Sequence, residues 1–362
     1  MRVLAFYDPR YYATPETDRY FGKGYSEWTR VATARPLFAG HYQPHIPADL
    51  GFYDLRMPEI RQAQADMASH FGIHGFCYLY YWDNGRRLWE RPFDEVHGSG
   101  KPEFPFCLAW ASDPMTIQSV SSKIDISSGV ANTDENLQTH AQWTAGVFRD
   151  VRYIRVGGRP LYVVSQPQQR GEWSSFLQKL RTSCCENGEE SPFVVGMCPS
   201  GPGLHVDNYG CDALISTTPD FSVLPGGYDS GPSWMRVKRN LRCGIVSRWK
   251  RIYSYDEMME RIWASRPGKS HLPCMCVGWD DTARSKGQGL VLTGSTPDRV
   301  YCWAKRYVRD LEAVPSDRRI LFLNAWNAWS EGMHLEPDQH YGYAYLEAIA
   351  AISKCLRTTP DL

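Results

Sequence analysis

Short runs of apolar residues recur along the chain and alternate with longer segments in which apolar residues return every three or four positions. The runs are, in order, Val3–Tyr7, Gly75–Tyr81, Phe104–Trp110, Pro160–Ser165, Pro192–Cys198, Ala213–Ser216, Pro273–Gly278 and Ile320–Ala325. Most of these runs are apolar at nearly every position, which is typical of parallel strands that are buried on both faces. The pattern therefore predicts eight buried strands.

The intervening segments are typical of amphipathic helices. In Met57–Phe71, for example, Ile60, Ala63, Met67 and Phe71 fall on one helical stripe. Further helices are predicted at Asp134–Asp150, Glu172–Glu186, Tyr255–Ala264 and Asp298–Leu311.

Eight strands that alternate with helices predict an α/β fold, a single (β/α)8 barrel over residues 1–362. An open doubly wound sheet is the alternative, but its G-x-G-x-x-G turn does not occur. The segment Thr217–His271, rich in Pro, Gly and Arg, predicts an inserted loop before the seventh strand.

Charge and cysteine content narrow the function classes. The chain has 40 Lys and Arg residues against 40 Asp and Glu residues, a balance that disfavours a nucleic-acid partner. Eleven cysteines without a C-x-x-C pair predict reduced thiols.

No apolar run reaches the roughly 20 residues that span a bilayer, and the chain begins directly with a strand pattern. We therefore expect a cytoplasmic protein with no integral membrane segment. We expect no cofactor. We also expect no metal site, because Pro44 interrupts the metal-like spacing of His41 and His45.

Aromatic and polar side chains follow several of the predicted strands. In a barrel, the segments after the carboxyl ends of the strands build the active site. Five tryptophans occupy such positions, each beside carboxylates or amides: Trp82, Trp110, Trp279, Trp326 and Trp329. Aromatic faces pack against the C–H faces of sugars while carboxylates and amides bind hydroxyl groups, so the arrangement favours a carbohydrate cleft.

One carboxylate stands out as a candidate general acid. Glu331 follows the last strand between Trp329 and His334, and a carboxyl group against tryptophan rings would have a raised pKa. A glycosidase needs a second carboxylate. The candidates are Asp113, Asp280, Glu27 and Glu336, and the sequence does not rank them.

Several motifs resemble one family along nearly the whole chain. They include Gly22–Thr29, Gly40–His45, Leu50–Arg56, Gly278–Asp280 and Asn324–Asp338. These segments are similar to WbsX-type proteins, which are associated with bacterial surface polysaccharides and resemble the endo-α-mannosidases of glycoside hydrolase family 99. The resemblance implies a (β/α)8 barrel that acts on glycans.

The resemblance also implies a mechanism and a departure from it. The related mannosidases are retaining hydrolases with two glutamates three residues apart in the pattern Trp-Asn-Glu-Trp-x-Glu-Gly. One assists attack by the substrate's own 2-hydroxyl, and the other is the acid/base. Glu331 matches the acid/base position, whereas Ala328 stands at the position of the first glutamate. Ala328 is either an engineered substitution or the mark of a divergent member that uses another base, such as Asp113 or Asp280, or only binds its glycan.

The expected function is that of a glycoside hydrolase-like enzyme acting on an α-linked bacterial surface oligosaccharide or polysaccharide. The alternatives are a glycosyltransferase in O-antigen or capsule biosynthesis and a non-catalytic glycan-binding barrel. The expected catalytic positions are Glu331, Ala328, Asp113 and Asp280. The expected substrate-binding residues are Glu27, Trp28, Tyr81, Trp82, Asn84, Trp110, Trp279, Arg284, Asn324, Trp326, Trp329, His334 and Glu336.

Overall fold

The computed structural model describes residues 1–111, 132–167, 171–200, 205–224, 251–265, 271–285 and 289–355, together with the backbone of Thr116–Gln118 and Lys123–Asp125. Residues 225–250 and 266–270, which belong to the predicted insertion, lie outside the described part. Asp113 also lies outside it.

Nine parallel strand segments form a nearly closed ring. In chain order they are Arg2–Tyr7, Gly75–Asp83, Phe106–Trp110, Arg159–Ser165, Phe193–Cys198, Ala213–Ser216, His271–Leu272, Cys274–Cys276 and Ile320–Asn324. Segments that follow one another in the chain pair in parallel, except for His271–Leu272 and Cys274–Cys276, and Arg2–Tyr7 lies between Gly75–Asp83 and Ile320–Asn324. The predicted eight-strand barrel is confirmed, and the open doubly wound sheet is wrong.

The ring closes at Pro273. His271–Leu272 pairs with Ala213–Ser216, whereas Cys274–Cys276 pairs with Ile320–Asn324. Only Pro273, which has no N–H to donate to a ladder, separates the two short segments. They therefore act as one interrupted seventh strand.

Helices surround the ring. The predicted ones are present at Pro58–His70, Asp134–Val147, Trp173–Glu186, Tyr255–Ala264 and Pro297–Leu311. Helices that the pattern did not predict are Pro15–Phe21, Glu27–Thr33, Arg91–Ser99 and Ala344–Cys355. Thr296 caps the helix Pro297–Leu311 by accepting a hydrogen bond from the N–H of Arg299, as the Pro297–Asp298 start predicts.

Short accessory pairs of strands extend the barrel. Arg251–Ser254 pairs with Leu290–Thr293 in parallel, and Arg86–Leu88 pairs antiparallel with the end of Gly75–Asp83. After the last barrel strand, Asn327–Ala328 and Met333–His334 form an antiparallel hairpin. This hairpin carries the segment that resembles the catalytic motif.

The strands are buried on both faces, and residues such as Leu4, Cys107 and Phe322 are fully inaccessible. Among the described residues no disulfide is present, and most of the cysteines are buried, while Cys185 and Cys302 are exposed. Within that same part of the chain, none of the helices has both the length and the apolar character that crossing a bilayer requires.

Candidate active site

A cavity of about 480 Å³ opens at the carboxyl ends of the barrel strands. Residues at or just after the carboxyl ends of most of the strands contribute to it, which is the usual position of the active site in this fold. Its wall includes Asp8, Arg10, Tyr81, Trp110, Gln166, Pro199, Thr218, Asp220, Trp279, Arg284, Asn324, Ala328 and Glu331. The cavity therefore gathers many of the residues that strand ends were expected to contribute.

Glu331 lies in this cavity within a group of four charges. Its Oε1 accepts a hydrogen bond from Nη1 of Arg284, and Nη2 of Arg10 lies 4.0 Å from the same oxygen. Arg10 in turn donates to both carboxylate oxygens of Asp8, at 2.8 and 2.6 Å. Burial alone would lower the pKa of Arg284, but the charges of Glu331 and Glu27 act in the opposite direction, and the net effect of the surroundings is to raise it. The cavity therefore presents a carboxylate that is held between two guanidinium groups.

Position 328 faces the same cavity as Glu331. Ala328 pairs with Met333 in the hairpin, and both residues line the wall together with Glu331. Among the described lining residues the carboxylates are Asp8, Asp220 and Glu331. Glu331 and position 328, which carries a methyl group, therefore lie on one hairpin and line one cavity.

Arg10, Asp8 and Asp220 were missed from the sequence. Asp8 and Arg10 directly follow the first barrel strand, so the same strand-end rule that selected Glu331 would have found them. Asp220 follows the sixth strand, and its Oδ1 accepts hydrogen bonds from the N–H and the hydroxyl of Ser222, at 2.9 and 2.6 Å.

Two of the five expected tryptophans line the cavity, and the other three lie elsewhere. Trp110 and Trp279 line the cavity. Trp326 and Trp329 are turned into the interior, and their indole N–H groups donate to Glu336 at 3.0 and 2.6 Å. Trp82 stacks on His140 with ring centroids 4.2 Å apart. The structure therefore brings two of the five rings to the cavity.

Glu336 is the carboxyl group that lies against the tryptophan rings. Its oxygens also accept from the hydroxyl of Tyr53 at 2.7 Å and from Nε2 of Gln64 at 2.6 Å. Burial raises its pKa to about 7, although these hydrogen bonds act in the opposite direction. Glu336 is not among the residues that line the cavity. Its hydrogen bond with Gln64 connects the loop after the last strand to the helix Pro58–His70.

Asp280 lies beside a second cavity, of about 400 Å³, which shares Trp279 with the first. Its Oδ2 is 2.6 Å from Nε2 of His41, and its Oδ1 accepts from the N–H of Thr282 at 2.9 Å. Burial alone would raise the pKa of Asp280, but these partners lower it. His334 lines this second cavity as well. The structure places both residues apart from the Glu331 cavity.

The remaining expected residues have structural partners. Glu27 is buried 3.5 Å from Nε of Arg30, and although burial opposes it, the charges of Arg30, Arg10 and Arg284 lower its pKa to about 2. Trp28 donates to the carbonyl oxygen of Tyr53 at 2.7 Å. Asn84 accepts a hydrogen bond from Asn136. Asn324 and Tyr81 line the first cavity.

The described strands and helices define a (β/α)8 barrel with a cavity at the carboxyl ends of its strands. The chain is similar over its full length to the endo-α-mannosidase of glycoside hydrolase family 99 from Bacteroides thetaiotaomicron, with a TM-score of 0.58, 14% identity and coverage of 98% of this chain and 97% of that one. A solved structure described as a glycoside hydrolase-like protein aligns with the same TM-score and identity, over 97% of this chain and 93% of the other. At this identity the likeness shows the fold.

The family follows from the sequence comparisons. Residues 3–349 match the family described as glycosyltransferase WbsX, and the chain belongs to that family. It is 33% identical to the WxcX protein of Xanthomonas campestris pv. campestris over 366 residues, which cover 99% of this chain. The chain spans 50% of the length of that relative.

Proposed function

We propose that the protein is a glycoside hydrolase-type enzyme that acts on an α-linked bacterial surface oligosaccharide, with Glu331 as its general acid and base. The observation that carries the proposal is that Glu331 and position 328 lie on one hairpin and face the same cavity at the carboxyl ends of the strands. Trp110, Trp279 and Tyr81 supply aromatic walls for sugar rings. The family membership and the barrel are consistent with a glycan substrate.

The mechanism assigns different tasks to the two positions. Glu331 gives a proton to the departing glycosidic oxygen as the bond to the anomeric carbon breaks, and later takes a proton from the attacking water. A carboxylate at position 328 would take the proton of the 2-hydroxyl as that oxygen attacks the anomeric carbon. Ala328 cannot accept a proton, so we expect slow turnover with binding retained.

Arg284 occupies the carboxylate of Glu331 in this structure, because its Nη1 donates to Oε1. In the proposed mechanism a hydroxyl or anionic group of the substrate engages Arg284, so that the carboxyl group of Glu331 can contact the glycosidic oxygen. Substrate binding therefore positions the proposed acid.

The test is to restore the missing carboxylate. Ala328→Glu should raise the hydrolysis of α-linked oligosaccharides by about 10²–10⁴-fold, the usual effect of a positioned base. Ala328→Gln has the same size without the charge and should stay slow. Product analysis by mass spectrometry measures the rates, and calorimetry should show similar affinities for the three proteins. Equal rates for the Glu and Gln variants would contradict the two-carboxylate mechanism.

Glycosyl transfer is the second candidate, because Arg10 and Arg284 lie in one cavity and paired guanidinium groups bind phosphate well. In that case the wild-type protein should bind sugar nucleotides and transfer their sugar to an acceptor glycan. Arg10→Gln should then weaken nucleotide binding while Lys305→Gln, on a distant helix, should not. Glycan binding without hydrolysis or transfer in any variant would favour a binding protein.

A further inference from the structure

The second cavity contains a cluster of side chains that the proposed hydrolysis does not use. His45 comes from the segment after the helix Glu27–Thr33, whereas His334 and Asp338 follow the last barrel strand. One potential ligand atom from each residue lies within 4.8 Å of the other two. Residues that are far apart in the chain thus converge on one point of the cavity wall.

The distances within the cluster are those of donor atoms around a common centre. Nδ1 of His45 lies 2.8 Å from Nε2 of His334, and this nitrogen lies 3.7 Å from Oδ2 of Asp338. Ligands bound tetrahedrally at 2.0–2.1 Å have neighbouring donor atoms about 3.3 Å apart. The two measured separations lie on either side of that value.

The carboxylate of Asp338 is an unusual element of this cluster. Its side chain is 2% exposed, and Oδ2 is buried without a hydrogen bond of ordinary geometry, although the hydroxyl of Tyr42 lies beside the carboxylate. Oδ1 accepts from the backbone N–H groups of His340 and Tyr341, at 3.0 and 2.6 Å. A buried carboxylate oxygen without a donor is costly, and a cation at the cluster would remove that cost.

The hydrogen bond made by Nδ1 of His334 leaves the lone pair on Nε2, the nitrogen that faces His45. This Nδ1 lies 3.0 Å from the carbonyl oxygen of Glu336, which can only accept, so Nδ1 carries the proton and Nε2 the lone pair. A backbone carbonyl in this position is a common outer partner of metal-binding histidines. The face of the His334 ring stacks on Trp329 with centroids 3.7 Å apart.

The backbone around the cluster is fixed before any ligand binds. The N–H of Ala48 donates to the carbonyl of Pro337 at 2.9 Å, and the N–H of Gln339 donates to the carbonyl of Ile46 at 2.9 Å. The ring of His45 also packs against Tyr42 in a tilted arrangement, with centroids 4.2 Å apart. Side chains held in this way form a preorganised site rather than a chance contact.

We propose that His45, His334 and Asp338 bind a divalent transition-metal ion such as Zn²⁺, with two imidazole ligands, one carboxylate ligand and an open position toward the cavity. Three protein ligands and an exchangeable position are the usual composition of an accessible zinc site. The ion would join the segment around His45 to the hairpin that carries Glu331. The proposal does not depend on the hydrolase assignment.

The test is metal titration of protein purified without a histidine tag and stripped with a chelator. The starting protein carries Cys185→Ser and Cys302→Ser, because exposed thiols compete for zinc and these two are exposed. Calorimetry should show one equivalent of Zn²⁺, and Co²⁺ should give visible absorption bands of a tetrahedral or five-coordinate site. Asp338→Asn and His45→Gln should each weaken binding at least 10-fold.

Two controls distinguish the cluster from the rest of the cavity. His340→Ala removes a neighbouring imidazole from the same wall, and Tyr42→Phe removes a buried hydroxyl beside Asp338. Both should bind Zn²⁺ as the background protein does. Circular dichroism verifies that each variant is folded. Absence of stoichiometric binding in the background protein, or equal affinity in His45→Gln and the controls, would overturn the proposal.

Discussion

The buried carboxyl group of Glu336 should make the stability of the protein depend on pH. Burial raises its pKa from an ordinary value of 4.5 to about 7. Between these two values the folded state holds the proton while the unfolded state has lost it. The folded state therefore binds more protons, and the free energy of unfolding falls as pH rises through this interval.

The size of this effect follows from the interval. One pKa unit corresponds to about 1.4 kcal/mol, so Glu336 should lower the free energy of unfolding by on the order of 3 kcal/mol between pH 4.5 and pH 7. Below pH 4.5 the penalty is absent, and above pH 7 it is constant. Glu336→Gln keeps the volume but has no proton to lose, so this component should vanish in the variant.

Urea denaturation followed by circular dichroism measures the effect at several pH values from 4.5 to 8. The difference in unfolding free energy between wild type and Glu336→Gln should change by on the order of 3 kcal/mol across this range. The other titrating groups cancel in that difference. Glu59→Gln, which removes an exposed carboxylate, is the control and should give a curve parallel to wild type. Parallel curves for Glu336→Gln would refute the reasoning.

Three further predictions concern the cavity, a second acid and the thiols. Trp279→Ala should weaken glycan binding in calorimetry by about 1–3 kcal/mol, by analogy with stacking on nucleic-acid bases, whereas Trp82→Ala should leave it unchanged. Burial raises the pKa of Asp281 to about 6, so the free energy of unfolding of the wild type should fall between about pH 4 and pH 6. This component should be absent in Asp281→Asn, as measured by the same urea denaturation. Among the described cysteines, Cys185 and Cys302 should react first with a thiol reagent under native conditions.

The barrel could be predicted because its strands are buried on both faces. Such strands are continuous apolar runs, and the run at Ala213–Ser216 matches the observed strand at both ends. The run at Phe104–Trp110 begins two residues before the strand Phe106–Trp110, because Pro105 cannot donate to a ladder. The helices Pro15–Phe21 and Glu27–Thr33 were missed, since seven residues make two turns and show no clear stripe.

The site could be predicted only as far as strand ends determine it. Tyr81, Trp110 and Glu331 reach the cavity as the strand order implies. The direction of Trp326 and Trp329 depends instead on the hairpin after the last strand, whose strands are two residues long. A period of two cannot be recognised over such a length, so the sequence did not show that these rings bind Glu336.

The hairpin is anchored on both sides of Ala328 by contacts that do not involve residue 328. Asn327 Oδ1 accepts from the N–H of Asp8 at 2.7 Å, and the N–H of Ser330 donates to the hydroxyl of Tyr11 at 3.3 Å. Trp329 is held by Glu336 at 2.6 Å. These contacts fix the backbone whatever side chain stands at position 328. A glutamate introduced there would extend into the cavity beside Glu331 from an unchanged frame, so the response of Ala328→Glu would report on the chemistry of the carboxylate rather than on the fold.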